Sequence, residues 1–157
     1  MPRFESIIEP NEEIFGVQEA SLKEVSELLP KSRVELIGAM AVPMMGREEL
    51  DLLIISDDIS GDSQTLVNAG FKQGPVVNET SFLKKMVGKI EVAVQILGPD
   101  HKMIGVHHKI LGLLRSNETL RKEYEIFKQN KLSGLTREDY RKKKSEWLEE
   151  HILPLVK

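Results

Sequence analysis

The stretch VELIGAMAVPMMGREELDLLIIS, Val34 to Ser56, decides the fold that this chain can adopt. RVELIG and ELDLLIIS are apolar runs of the kind that form buried strands, and a loop separates them. The first run ends at Gly38, where the absence of a Cβ lets backbone N–H groups approach a phosphate closely. The second run holds Asp51, an acid that is costly to bury unless it is paired or binds a metal. The stretch therefore predicts two strands around a candidate phosphate and metal site.

The rest of the chain predicts strands first and helices afterwards. ETSFLKKMVGKIEVAVQILG has the pattern of a hairpin with Gly88 at or near its turn, whereas the pattern beyond Pro99 is helical. A short helix is expected from Asp62 or Ser63 to Gly70. Predicted helix caps are Asn11, Asn117 and Thr136, and Pro30 is predicted to stop a helix. This order predicts the α+β class, with one domain whose sheet core spans about residues 1–100 and whose C-terminal helices span about 101–157.

Composition excludes several classes of protein. The 157 residues include no Cys, so disulfides, thiol catalysis and thiolate metal sites are excluded. The chain shows no secretory signal and no apolar run near the ~20 residues that span a bilayer, so a cytoplasmic protein without membrane association is expected. Lys and Arg number 9 against 17 Asp and Glu through Asp100, giving −8, and 13 against 8 from His101, giving +5. This asymmetry can steer anionic ligands to one side, although solvated charge on terminal helices explains it as well.

Two acids are the candidate metal ligands. Acids at positions i and i+2 of a strand share a face and can hold Mg²⁺ against a triphosphate, but the residue two after Asp51 is Leu53. On the strand KIEVAVQIL, Glu91 lies on the face opposite to the one that carries the apolar side chains. Asp51 and Glu91 are therefore the predicted catalytic and metal-binding pair, two acids of a usual three. The alternative is that Asp51 is a structural partner for Arg47, Lys89 or a backbone group.

Other polar clusters carry weaker signals. His107 and His108 are adjacent on a predicted helix and point to different sides, so they do not converge on a zinc ion without a third ligand. RKKK, residues 141–144, is basic but lacks interleaved aromatic residues, which is typical of a solvated helix face. Nucleic acid is accordingly not the expected partner.

These residues resemble the GrpB family, whose members adopt the polymerase-β-type nucleotidyltransferase fold. In that family a strand ends in His-Ile-Gly-Ser-Thr-Ala-Val-Pro-Gly-Leu, and Lys-Pro and Ile-Asp-Ile follow. LIGAMAVPMM and LDLLI match this pattern at Ile37, Gly38, Ala41, Val42, Pro43 and Asp51. The family's C-terminal motifs, Leu-Arg, Tyr-x-x-Leu-Lys and Tyr-x-x-x-Lys-x-x-Phe-Ile, correspond to Leu114–Arg115, Tyr124 with Phe127–Lys128, and Tyr140 with Lys144 and Trp147. Order and spacing agree over residues 6 to 152.

The departures from the family pattern share one property, because nearly all of them remove a polar group from the expected cleft. The family's Ser and Thr become Ala39 and Met40, and its Gly-Leu becomes Met44–Met45. Its strand His becomes Gln95, and its Arg-Asp pair becomes Leu111–Gly112. The pattern predicts a degenerate catalytic site.

The resemblance implies a mixed sheet backed by helices, with a C-terminal helical segment. It also implies a ligand site in which Gly38 and Ala39 face a phosphate while Arg115, Lys128 and Lys144 converge on it from the helical side. The favoured hypothesis is a binding protein of uncertain activity that takes a nucleotide, a phosphorylated small molecule or a protein partner. One alternative is an active Mg²⁺-dependent nucleotidyltransferase using Asp51 and Glu91. Another is an RNA or protein interaction module that uses the basic C-terminal helices.

Overall fold

The computed structural model describes residues 5–156, which form an α+β fold. Within this range lie five strands, β1 to β5 in chain order: Arg33–Ile37, Glu49–Ile55, Lys72–Val77, Thr80–Val87 and Ile90–Leu97. The helices α1 to α6 are Glu12–Leu28, Ile59–Asn68, Met103–Ser116, Glu118–Phe127, Arg137–His151 and Leu153–Val156. The predicted fold class is confirmed.

The strands form one mixed sheet in the order β1-β2-β5-β4-β3. The central pair, β2 and β5, is parallel, and the other pairs are antiparallel. The predicted hairpin is β4 and β5, which turn at Gly88 with a φ of 62°. Strand β3 was not predicted from the sequence, because all six of its residues are exposed and KQGPVV lacks the alternation of a half-buried strand.

Most helix boundaries follow from capping chemistry. Asn11, Asn117 and Thr136 each accept a backbone N–H in the first turn of α1, α4 and α5, as predicted. Helix α2 instead begins at Ile59, because the Asp58 side chain accepts the N–H of Gly61. The predicted start at Asp62 or Ser63 was therefore three to four residues too late. The last helix breaks at Ile152, which separates α5 from the short α6.

The two faces of the sheet have different coverings. Leu50, Leu52 and Ile54 are fully buried with residues of α1 and α2, and each such side chain contributes about 1.5–3 kcal/mol to stability. The alternate residues of β2 point to the other face, where Leu53 packs with Ile37 and with the start of α3. The C-terminal helices therefore close over the face that carries Asp51.

Candidate functional site

Three acids, and not two, lie together on that face. Glu49 and Asp51 are two residues apart on β2 and so share a face, and Glu49 is paired in register with Glu91 on the parallel strand β5. Glu49 is therefore an acid of this face that the sequence prediction did not include. The residue two after Asp51 is Leu53, but the residue two before it is Glu49, and the same period-2 alternation puts Glu49 on the face of Asp51.

Gly38 is held in place by the acid opposite it. Its φ is 81° and its ψ is −173°, a backbone conformation that is essentially restricted to glycine. A Cβ at this position would collide with the Asp51 carboxylate. The missing side chain therefore allows the close approach of Asp51 itself to the backbone at the end of β1.

Two arginines neutralise the acid cluster. The Arg47 guanidinium lies 2.5 Å from the Glu49 carboxylate and 3.5 Å from that of Glu5. Arg137 donates to Glu5 at 2.8 Å and, with both terminal nitrogens, to Glu91 at 3.2 and 3.4 Å. Two-pronged bonds from arginine to carboxylate are among the stronger charge-assisted contacts in proteins. The cluster is thus a network of carboxylates bridged by guanidinium groups.

The acids of this network differ in protonation. Burial, followed by the neighbouring Asp51 carboxylate, raises the pKa of Glu49 to about 10, even though Arg47 opposes the shift. Burial acts to raise the pKa of Glu91 as well, but a hydrogen bond from Glu49 and the charge of Arg137 outweigh it and lower that pKa. Near neutral pH, Glu49 therefore carries a proton and Glu91 does not.

A cavity of about 210 Å³ lies between this sheet face and the C-terminal helices. Gly38, Ala39, Asp51, Lys128 and Lys144 all line it, so five of the seven predicted site residues meet there. Its wall also includes Arg47, Glu49, Gln95, His107, Tyr124 and Tyr140. A mixed wall of this kind, with a few convergent polar groups among apolar ones, is typical of a ligand pocket.

Lys128 is the most deeply buried cation of this wall, with 2% of its surface exposed. It begins a π-helical turn, Lys128–Leu132, and such turns occur frequently at functional sites. Its ammonium group donates to the Met45 carbonyl at 2.8 Å and lies 4.1 Å from the centroid of the Tyr124 ring. Burial, followed by the charge of Lys144, lowers the pKa of Lys128 well below its ordinary value. A buried lysine with a strongly shifted pKa is a functional-site candidate.

The two remaining predicted residues lie elsewhere. Arg115 donates from two nitrogens to the Ala41 carbonyl, at 2.5 and 3.2 Å, and does not line the cavity. It stabilises the turn after β1. Glu91 is 4% exposed and lies beside the cavity, next to Glu49.

The residues that are present do not fit a magnesium ion in this arrangement. Carboxylates are the ligand type that Mg²⁺ prefers, yet guanidinium groups bind those of Glu49 and Glu91. Between residues 5 and 156, no three His, Asp or Glu side chains are placed so that they could hold a metal ion.

The histidines and the basic run are dispersed. His101 bonds to the Asn78 carbonyl at 2.8 Å, and His108 pairs with Glu35 at 2.5 Å. His107 lines the cavity, and burial there lowers its pKa. In the basic run, residues 141–143 are exposed and Lys144 is half-buried.

Comparison with solved structures defines the class of this fold. The poly(U) polymerase Cid1 with bound MgGTP superposes with a TM-score of 0.53 at 14% identity, covering 75% of this chain and 41% of Cid1. A cytoplasmic RNA terminal U-transferase gives a TM-score of 0.51 at 15% identity, covering 78% of this chain and 42% of the transferase. The chain therefore has a nucleotidyltransferase-like fold, and it spans less than half the length of those polymerases.

The comparisons also identify a family for this chain, which is a narrower group than the fold class. The conserved protein GrpB from Enterococcus faecalis superposes with a TM-score of 0.71 at 20% identity, covering 78% of this chain and 80% of that one. The model of the GrpB protein family matches residues 6–153. The chain belongs to the GrpB family. No curated protein matches its sequence, and no helix in residues 5–156 has the length and apolar character needed to cross a membrane.

Proposed function

We propose that the cleft of this GrpB protein binds a phosphorylated ligand, and that it does so without transferring a nucleotidyl group. The observation that carries the proposal is the pairing of the acids. Arg47 and Arg137 are bonded to Glu49 and Glu91, so guanidinium groups stand against the carboxylates that a catalytic metal would need. Breaking either contact is costly, because it leaves a half-buried guanidinium group without its partner.

Basic groups on the helical side of the cleft suit a phosphate. Lys128 and Lys144 come from the helical part of the chain and line the same cavity as Gly38, and Arg47 lines it from the loop before β2. Arg47 and Lys144 offer charged donors, which form strong hydrogen bonds to phosphate oxygens, and a phosphate beside Lys128 would favour the charged form of that lysine as well. At about 210 Å³ the cavity lies below the ~300–1,000 Å³ of most ligand pockets. It would hold the phosphate end of a ligand, while a base and ribose would lie towards its open side.

The structural neighbours support a nucleotide as the first ligand to test. One solved structure of Cid1 contains MgGTP. That ligand belongs to Cid1, and the fold shared with it is the reason to test nucleoside triphosphates here.

A thermal-shift series tests the proposal. Nucleoside triphosphates are added with Mg²⁺, with Mn²⁺ or with EDTA to the wild type, Asp51→Asn and Lys128→Met. We expect a rise in melting temperature that persists in EDTA and in Asp51→Asn and disappears in Lys128→Met, because a ligand stabilises the state that binds it. The absence of any shift for the wild type would contradict the proposal.

A second candidate function rests on the shared face of Glu49, Asp51 and Glu91. If the arginine pairs open, these acids could serve a metal-dependent nucleotidyltransferase. A shift that requires Mg²⁺ or Mn²⁺ and disappears in Asp51→Asn would favour this activity over simple binding. Incorporation of labelled nucleotide into an acceptor, again abolished by Asp51→Asn, would then establish it.

A further inference from the structure

A short N-terminal segment, residues 5–8, crosses the acid cluster, and we call it the strap. The Glu5 N–H donates to the Leu135 carbonyl, and the Gly134 N–H donates to the Glu5 carbonyl, both at 2.8 Å. At the other end, Ile8 and Gly46 exchange backbone hydrogen bonds at 2.8 and 3.1 Å. The strap therefore joins the loop before β2 to the loop before α5.

The strap places an acid between the two arginines of the cluster. Glu5 is 4% exposed, and one of its carboxylate oxygens lies 2.8 Å from Arg137 and 3.5 Å from Arg47. Each arginine also has an acid of its own, Glu91 for Arg137 and Glu49 for Arg47. Glu5 is thus an additional anion, shared by two arginines that each already contact an acid.

The structure assigns a two-arginine anion site to Arg47 and Arg137, and we propose that Glu5 occupies this site until an incoming phosphate displaces it. The inference rests on the proposed function and adds a regulation to it, in which the strap competes with the ligand inside the same protein. The ligand class is a polyphosphate or another anion with several oxygens.

Arg47 connects this anion site to the cavity. It lines the cavity, contacts Glu5 and Glu49, and lies over the Tyr140 ring at 4.9 Å. A phosphate that enters the cavity therefore meets the same guanidinium group that holds Glu5. Because a phosphate offers more charge and more acceptor oxygens than one carboxylate, it competes effectively for a pair of arginines.

The strap is also better suited to release than the core is. Its backbone bonds join it to loops and not to the sheet. Ser6 is exposed and Ile7 is half-buried, and the partly buried Ile8 is the strap residue that packs against the apolar core. Segments with few buried apolar contacts open at a lower free-energy cost than core strands. After release, Arg47 and Arg137 would keep Glu49 and Glu91 as partners.

The test compares tripolyphosphate binding by isothermal titration, without metal, for the wild type, Glu5→Gln and Glu9→Gln. Glu5→Gln removes the competing charge with little change of shape, and we expect binding that is tighter by on the order of tenfold. Glu9 is exposed in the segment that follows the strap, so Glu9→Gln is the matched control and should bind as the wild type does.

The outcomes separate this inference from the proposed function. Equal or weaker binding by a folded Glu5→Gln overturns the inference but leaves the proposed function intact, provided that the wild type binds. If neither protein binds, both are overturned; binding by Glu5→Gln alone supports the inference.

Amide hydrogen exchange on the wild type covers the case in which Glu5→Gln fails to fold. Faster exchange at Glu5 and Ile8 in the presence of tripolyphosphate supports displacement, and slower exchange overturns it.

Discussion

Gly38 and Asp51 depend on each other at the scale of single residues. The Asp51 carboxylate occupies the space where any other residue at position 38 would place its Cβ. The glycine is therefore required twice, once for its backbone conformation and once for the acid that packs against it.

We predict that Gly38→Ala destabilises the protein by roughly 1–3 kcal/mol, because the alanine would be strained and would displace Asp51. Chemical denaturation measures this loss. Gly112→Ala is the control, since a Cβ at Gly112 on α3 meets nothing within 4 Å and should stabilise the helix by roughly 0.5–1 kcal/mol. Equal stabilities of the two variants would contradict the role given to Gly38.

Glu49 gives a prediction about pH. Its pKa is raised from 4.5 to about 10 in the folded chain, so between these values the folded state holds a proton that the unfolded state has released. The contribution of Glu49 to the free energy of unfolding therefore falls as the pH rises from about 5 to about 9. Glu49→Gln, which cannot release a proton, should show a smaller fall in chemical denaturation.

Glu48→Gln is the control for this measurement, because the Glu48 carboxylate lies 3.6 Å from an exposed Lys89 outside the network. It should keep the pH dependence of the wild type. If Glu49→Gln keeps it as well, Glu49 is charged in the folded protein near neutral pH.

At the scale of elements, α3 supports the turn that follows β1. Arg115, in the last turn of α3, donates to the Ala41 carbonyl and so fixes the 3-10 turn Ala39–Ala41 beside the cavity. This contact joins residues that are 74 positions apart in the sequence, and no pattern near Arg115 indicates it. The sequence expectation of a phosphate ligand at this position stays a prediction, and the structure gives the residue another use.

Arg115→Met should lower the free energy of unfolding by about 1–2 kcal/mol, because it leaves a carbonyl of the turn without its charged donor. Urea denaturation measures the loss. Lys109→Met, on an exposed position of the same helix, should change stability by less than about 0.5 kcal/mol. An Arg115→Met protein that is as stable as the wild type but cannot bind a triphosphate would show that Arg115 contributes to ligand binding and not to stability.

At the scale of the whole molecule, the acidic sheet and the basic helices meet at the cavity. The helical side contributes Lys128 and Lys144, and the sheet side contributes Asp51 and Glu49. A ligand in the cavity would contact both halves, so its binding should stabilise the complete chain and not one half of it.

We expect tripolyphosphate at 100 times its dissociation constant to raise the free energy of unfolding by about 2.7 kcal/mol. Lys144→Met should reduce this gain, since Lys144 faces the cavity. Lys143→Met removes the same charge from the neighbouring exposed position and should retain the gain. Equal gains in both variants would place the ligand outside the cavity.

The sequence predicted most of the fold because local chemistry determines it. Caps at Asn11, Asn117 and Thr136 and the apolar runs of β2 and β5 are visible in short windows. Strand β3 was missed because an exposed edge strand needs no apolar alternation. Gly38 and Asp51 were indicated by the strand pattern, and Ala39, Lys128 and Lys144 by the family motifs. The pairing of Glu5 and Arg137 is set by tertiary contacts that no local pattern reports.

That pairing has a consequence for synthesis on the ribosome. Glu5 and Arg137 are 132 residues apart in the chain, so their contact cannot form until Arg137 has been made. The sheet can assemble before α5 exists, since β1 to β5 end at Leu97. The contact between the strap and α5 is therefore expected to form after the sheet has been made.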